Sequence, residues 1–318
     1  MSNKTRRFSF ALCLLGAIPL TALGACGIFT PEKYPFIEDT IDPVSGTSAY
    51  GNLEDAIVNH VQCEISKGIY DVYNAVSTKQ FQFGDWLYTK DWGASVTITL
   101  TFQDQSALNP GVSLTTPLEN SIHTFPVGGP VTSGQSFALG LGGAGSGNAT
   151  RQETIQFTYT NKVLLNWILA RKAVLARQGK ELTKNFCDYT NTGIMINSDL
   201  KIDQFIYDKM SINSNGNVFD PANRNSPPFN TFQEQLTFVA SLNANATPTW
   251  KFARATANTT SPLVTATRTN TDALTITFGE VQPATPSSPA QLKSAGSALH
   301  GSGVQANQTG QAVNTTGH

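Results

Sequence analysis

The chain is predicted to fold as an α+β protein, mainly antiparallel β-sheet with two main helices packed against it and a disordered C-terminal tail. Three observations carry that expectation. Val96-Thr-Ile-Thr-Leu-Thr-Phe102 and Ala273-Leu-Thr-Ile-Thr-Phe278 alternate apolar and polar residues, the period of a strand with one buried face. Residues 52–76 instead repeat their apolar residues at spacings of four and three, the period of a helix. The composition is polar but poorly charged: Asp, Glu, Lys and Arg make up 14 % of the chain, against about 25 % in an average soluble protein. Thr, Asn, Ser, Gln and Gly take their place, a balance common in β-rich envelope proteins, and a hydrophobic content of 40 % is enough for a core.

Taken in order, residues 1–25 form a leader, 26–51 a tether, 52–281 an α+β domain and 282–318 the tail. The tether carries prolines and glycines without any period, as an extended linker does. The first helix starts at Asn52, a capping residue, with Glu54 and Asp55 favourable in its first turn. Its stripe is Ile57, Val61, Ile65, Ile69, Val72 and Val76, and Gly68 is its soft spot. The strand at Val96–Phe102 follows. The span 103–135 holds Asn109-Pro110-Gly111, Thr116-Pro117 and Gly128-Gly129-Pro130, so it is expected to be mostly loop with short extended pieces. Residues 136–141 and 152–160 flank a glycine-rich stretch and are expected to pair as a hairpin.

The second helix covers 161–178, with Leu164, Trp167, Ile168 and Leu175 on one side and Gly179 to end it. A shorter helix covers 199–210, capped by Ser198, and a polar loop fills 212–231. The last folded part reads as a meander through Leu236-x-Phe238-x-Ala240-x-Leu242, Trp250 and the strand ending at Phe278. Past Val281 large apolar residues are almost gone, and ordering entropy would go unrepaid.

The leader has a basic start (Lys4, Arg6, Arg7), an apolar run from Phe8 to Leu23 and then small residues, the layout of a secretory signal peptide. The run is short for a membrane-spanning helix. Thr5-Arg6-Arg7 raises the twin-arginine export route beside the general one, but Ser9 stands where an apolar residue is expected. With the three leader cations removed, the acidic excess widens, so no basic surface is implied and nucleic-acid binding is not expected.

Leu23-Gly24-Ala25-Cys26 resembles the lipobox of bacterial lipoproteins. The resemblance covers about the first thirty residues. It implies cleavage before Cys26, a diacylglyceryl group on its thiol, an acylated (palmitate-type) α-amine, and membrane anchoring by several chains, because one chain holds only marginally. The competing reading is ordinary signal cleavage and a soluble product. Gly27 stands where an aspartate would retain such a lipoprotein at the inner membrane, which implies the outer membrane, on its periplasmic or its surface face. TPTWKF around Trp250 and RTNTDALTITF at 268–278 are similar to uncharacterised envelope lipoproteins of Gram-negative bacteria, a group that brings no function with it.

If Cys13 is discarded with the leader and Cys26 carries lipid, Cys63 and Cys187 remain as an even pair in an oxidising compartment. A disulfide between them is expected, the alternative being two buried thiols. Closing a loop of about 125 residues is worth on the order of 4–5 kcal/mol in the chain-entropy model.

Candidate chemistry is sparse. Gly140-Leu-Gly142-Gly-Ala-Gly145 matches the dinucleotide fingerprint, but a helix must follow it and an alternating strand is expected instead. A hairpin tip is the preferred reading. His60, Cys63 and Glu64 share a helix face and offer half a metal site without a second cluster to complete it, so His60 is expected to be solvated beside the disulfide. His123 lies in a loop, and His300 and His318 lie in the tail. Asp85-Trp86 and Asp91-Trp92 place aromatics beside carboxylates, as sugar binding would use, or as amphipathic residues at a sheet rim would show.

No catalytic residue, cofactor or metal ligand is assigned. The expected role is a non-enzymatic binding, scaffolding or assembly module, lipid-anchored at the outer membrane, with an envelope protein or glycan as partner. Two other readings stand beside it: an envelope enzyme acting on glycan or peptide, and a ring-forming lipoprotein that inserts β-hairpins into the outer membrane.

Overall fold

A computed structural model describes residues 30–31, 33, 40–41, 46–123, 131–180, 187, 199–214, 227–246, 250–251, 255–257 and 262–316. The leader, Cys26 and most of the tether lie outside them. The fold is α+β with mainly antiparallel sheets, as expected. Among the described residues the helices are α1 (Ala49–Ser77), α2 (Trp86–Thr89), α3 (Asn161–Arg177), α4 (Ile202–Ser214) and α5 (Ser294–Thr316). The strands are β1 (Trp92–Leu108), β2 (Gly111–His123), β3 (Val131–Gly142), β4 (Gly145–Thr160), β5 (Thr231–Ala246), β6 (Trp250–Lys251), β7 (Ala255–Ala257), β8 (Val264–Gln282) and β9 (Gln291–Leu292). One sheet has the order β4-β1-β8-β5, with β9 paired to β8; the other has the order β3-β2-β7-β6.

The chain divides into two compact units. Unit 1 is Met1–Glu32, Thr101–Arg151 and Ala240–Asn270; unit 2 is Lys33–Leu100, Gln152–Val239 and Thr271–His318. The second sheet belongs wholly to unit 1, while β1, β4, β5 and β8 each contribute residues to both.

Unit 2 holds the core. Ile57, Val61, Ile65, Ile69 and Val72 of α1 are all buried, as their spacing requires. The helix begins before Asn52, because Ser48 is its cap and its Oγ accepts from the Gly51 N–H at 3.0 Å. Gly68 is a contact point rather than a soft spot. A Cβ there would lie 2.7 Å from Ile206 Cδ1 and 2.9 Å from Asp203 Cα, so its absence lets α4 cross close to α1. The third helix ends as expected: Gly179 has φ +69°, its N–H bonds to the Ala176 carbonyl, and the Lys180 N–H reaches back to Leu175.

The sheet of unit 2 is covered on both faces. Trp92, Val96, Ile98 and Leu100 of β1 lie on the apolar face with Leu274, Ile276 and Phe278 of β8. An aromatic series runs across it from Trp86 to Trp92, Phe232 and Phe278, with Phe205 of α4 joining at Phe232. Trp86 and Trp92 are therefore core residues, neither a sugar platform nor a sheet rim.

The opposite face carries Ser95, Thr97, Thr99, Thr275 and Thr277, and these too are buried. Their cover is α5, which occupies residues expected to be a disordered tail. The physical reason is a polar interface between small residues. His300 Nε2 lies 2.7 Å from Thr97 Oγ1 and Nδ1 2.8 Å from Thr277 Oγ1, while Asn307 donates to Thr275. At Gly303 a Cβ would come within 2.5 Å of the Gln233 side chain, so glycine is what allows the approach.

Unit 1 departs from expectation in the other direction. Most of 103–135 is strand rather than loop. The expected hairpin of 136–141 with 152–160 does not form: β3 pairs with β2, and β4 pairs with β1. Pro117 is tolerated inside β2 because, among the described residues, β7 pairs β2 only over Val112–Leu114. The missing N–H then breaks no bond on that side.

Candidate functional site

Cys13, Cys26, Ser198 and His318 lie outside the described residues, while His123 ends β2 rather than lying in a loop and His300 lies in α5 rather than in a tail. Cys63 and Cys187 are joined in a disulfide with a Cα–Cα distance of 5.6 Å. His60 is buried beside it, not solvated. Its Nδ1 donates to the Cys187 carbonyl at 2.8 Å and its Nε2 lies 2.9 Å from Glu64 Oε1. Glu64 in turn accepts the N–H groups of Leu200 and Ile202. These bonds fasten the chain around residues 187 and 200 to α1, a structural task.

One group of carboxylates is close enough to suggest a cation. Oxygens of Glu64, Asp199 and Asp203 lie within 4.8 Å of one another. All three are engaged by the chain itself: Glu64 as described, Asp199 by the Lys201 N–H, and Asp203 by an ion pair with Lys67. The cluster sits where α4 begins and serves to hold it.

A polar cavity of about 330 Å³ opens beside α5, lined by Ser95, Thr158, Ser297, His300 and the segment 289–292. Thr158 donates to Ser95 Oγ at 3.1 Å. Burial lowers the His300 pKa from its ordinary value, which favours the neutral ring. Both ring nitrogens are already bonded to threonine hydroxyls, so neither is left to activate a nucleophile in the cavity.

Gly140, Gly142 and Gly145 fall at the end of β3 and the start of β4. A strand follows them where a dinucleotide site needs a helix N-terminus.

The feature that stands apart is the exposed face of the β2–β3 ladder in unit 1. The register sets Val112 opposite Leu141, Leu114 opposite Leu139 and Thr116 opposite Phe137, so these residues share one face. Leu118 continues the row opposite Gln135. The apolar members are open to solvent, Phe137 at 55 % and Leu141 at 58 %. Ser113 and Thr115, on the other face of β2, are only half-buried rather than exposed. Over residues 112–115 the usual arrangement of a soluble strand, apolar in and polar out, is reversed, while β3 is exposed on both faces over 134–142.

The breakers in 103–135 hide this face in the sequence, because its β2 half looks like loop. A signal was nevertheless present: Glu119 is the sole Asp, Glu, Lys or Arg between Asp104 and Arg151. No protein-family model matches the chain, and no curated protein matches it in sequence.

Proposed function

We propose that the protein is a lipid-anchored module of the bacterial envelope, held at the outer membrane through Cys26, that works by binding and assembly rather than by catalysis. The observation that supports this most is the β2–β3 face. Contiguous apolar patches on isolated soluble proteins are usually small, and larger ones mark an interaction surface. Here six large apolar side chains form an ordered row on paired strands, in a part of the chain almost free of charge. Unit 2 supplies the packed core, joined by the Cys63–Cys187 disulfide and covered on both faces of its sheet. The leader and its lipobox resemblance supply the anchor.

The test uses the full-length protein with a single added cysteine at Leu139 and a membrane-impermeant maleimide. In native membranes opened to the reagent on both sides, labelling should fall at least five-fold relative to the purified protein. Equal labelling in both would overturn the reading. Cys26→Ala, followed by fractionation, should move the protein to the soluble fraction; sedimentation like wild type would remove the anchor.

A further inference from the structure

We infer that the occupant of the β2–β3 face is the acyl layer of a membrane: the hairpin of β2 and β3 inserts into lipid, with Val112, Leu114, Leu118, Phe137, Leu139 and Leu141 against the chains. The inference rests on the proposed binding role and names the partner of that surface.

Four observations point to lipid rather than to another protein. The first is the reversal of burial described above. Alternation of apolar-out with polar-in is the pattern of strands that cross a membrane, and β2 has it, with Val112 and Leu114 exposed and Ser113 and Thr115 half-buried. The second is the composition of the other face. Ser113 opposes Gly140, Thr115 opposes Ala138 and Pro117 opposes Ser136, all small or uncharged. A protein-binding strand would be free to carry charge there. The third is the gap in charge. Between Asp104 and Arg151 only Glu119 interrupts, and it falls at the irregularity between Leu118 and Ser121, where the regular apolar row has ended. A charge at bilayer depth is costly on the lipid side and tolerated on the other.

The fourth is length. β2 has 13 residues and β3 has 12. At about 3.3 Å per residue and a tilt of about 45°, such a strand covers roughly 30 Å of depth, the thickness of the hydrocarbon core, and the apolar row from Val112 to Leu118 accounts for about half of that. An acyl anchor at Cys26 would hold the hairpin beside its target.

Insertion has a consequence for assembly. A bilayer core offers no water to satisfy open strand edges, so β-structure persists there only when its edges are paired. Among the described residues β3 is the terminal strand of its sheet, in the order β3-β2-β7-β6. In lipid that edge must be met by another strand, and a second copy of this chain carries the required partner. Insertion therefore brings copies together, and the inserted form is a multimer.

The test places a cysteine at Leu114 or Leu139 on the apolar row, at Ser113 on the other face, and at Val174, an exposed residue of α3 in unit 2. Each full-length lipidated variant carries an environment-sensitive fluorophore there. It is reconstituted in vesicles of phosphatidylethanolamine and phosphatidylglycerol, with and without acyl-chain spin-labelled lipid. Leu114 and Leu139 positions should lose at least half their emission to the lipid quencher, and Ser113 and Val174 positions should lose little. Quenching at Val174 equal to that at Leu139 would mean that the whole protein lies on the surface, and would overturn insertion. Shielding of Leu139 from aqueous iodide without lipid quenching would mean that a protein covers the face. The inference would then fail while the binding role stood. Full access to iodide with no lipid quenching would defeat both. Leu139→Thr, which puts a polar residue of high strand propensity in place of leucine, should reduce lipid association of the hairpin without changing the thermal transition of unit 2.

Discussion

Unit 1 and unit 2 share strands and a composition rich in threonine, yet they treat their side chains in opposite ways. In unit 2 both faces of the sheet are buried, one by aromatic and aliphatic packing and the other by α5. Among the described residues of Thr101–Arg151 and Ala240–Asn270, only Thr101, Phe102 and Gln103 are buried. Hydrogen-bonded ladders without a core hold strands in place but contribute little net stability, whereas buried apolar area dominates it. The comparison teaches that the fold is secured in unit 2, and that unit 1 is free to present apolar residues outward because they are not needed inward.

That contrast can be broken or sharpened by substitution. The largest effect is expected at the disulfide. Cys63→Ser with Cys187→Ser should cost on the order of 4–5 kcal/mol in unfolding free energy, read by denaturant titration under non-reducing conditions. Ile65→Ala, at a fully buried position of α1, should cost about 2–5 kcal/mol. Gly68→Ala should cost about 1–3 kcal/mol, since the new methyl meets the backbone of α4 and not only a movable side chain. At the other end of the scale, Leu114→Ala in unit 1 should change unfolding of the soluble protein by less than about 0.5 kcal/mol. A loss comparable to that of Ile65→Ala would mean that unit 1 has a core after all.

A pH series sharpens the picture of unit 2. Burial pushes the Asp272 carboxyl up to about 6. Burial, with the Glu64 charge nearby, pushes Glu234 up to about 7. In both cases the folded state holds a proton that the unfolded chain has released. Their contribution to stability is thus largest below about pH 4, falls as pH rises through the folded values, and stays lost above them. Asp272→Asn should flatten that decline between about pH 4 and 6 and raise stability at pH 8 by roughly 1–3 kcal/mol. An unchanged slope in the variant would show that Asp272 does not titrate in this way.

What could be read in advance follows from how each element announces itself. The α1 stripe from Ile57 to Val72 and the β1 alternation from Val96 to Phe102 were legible because their burial is apolar and periodic. The pairing of Cys63 with Cys187 was legible from the cysteine count and the compartment that the leader leads one to expect. By contrast, α5 was invisible. Its interface is made by Gly303, His300 and Asn307 against threonine hydroxyls, and such contacts leave no hydrophobic period in the sequence. The β2–β3 ladder was hidden for another reason. Asn109-Pro110, Thr116-Pro117 and the surrounding glycines look like breakers, but Asn109-Pro110 is a two-residue connection between long strands and Pro117 sits where β7 no longer pairs. The candidate face emerges only when register sets Val112, Leu114 and Thr116 opposite Leu141, Leu139 and Phe137.

The central claim, that the apolar row of unit 1 is covered by membrane lipid, is tested most directly by amide hydrogen exchange. The full-length lipidated protein would be compared in detergent-free aqueous buffer, as its Cys26→Ala form, and in phospholipid vesicles. Peptides covering 111–118 and 134–142 should exchange at least ten-fold more slowly in vesicles, while peptides from α1 and the first half of β1 stay unchanged. Equal exchange of 111–118 and 134–142 in buffer and in vesicles would contradict the account.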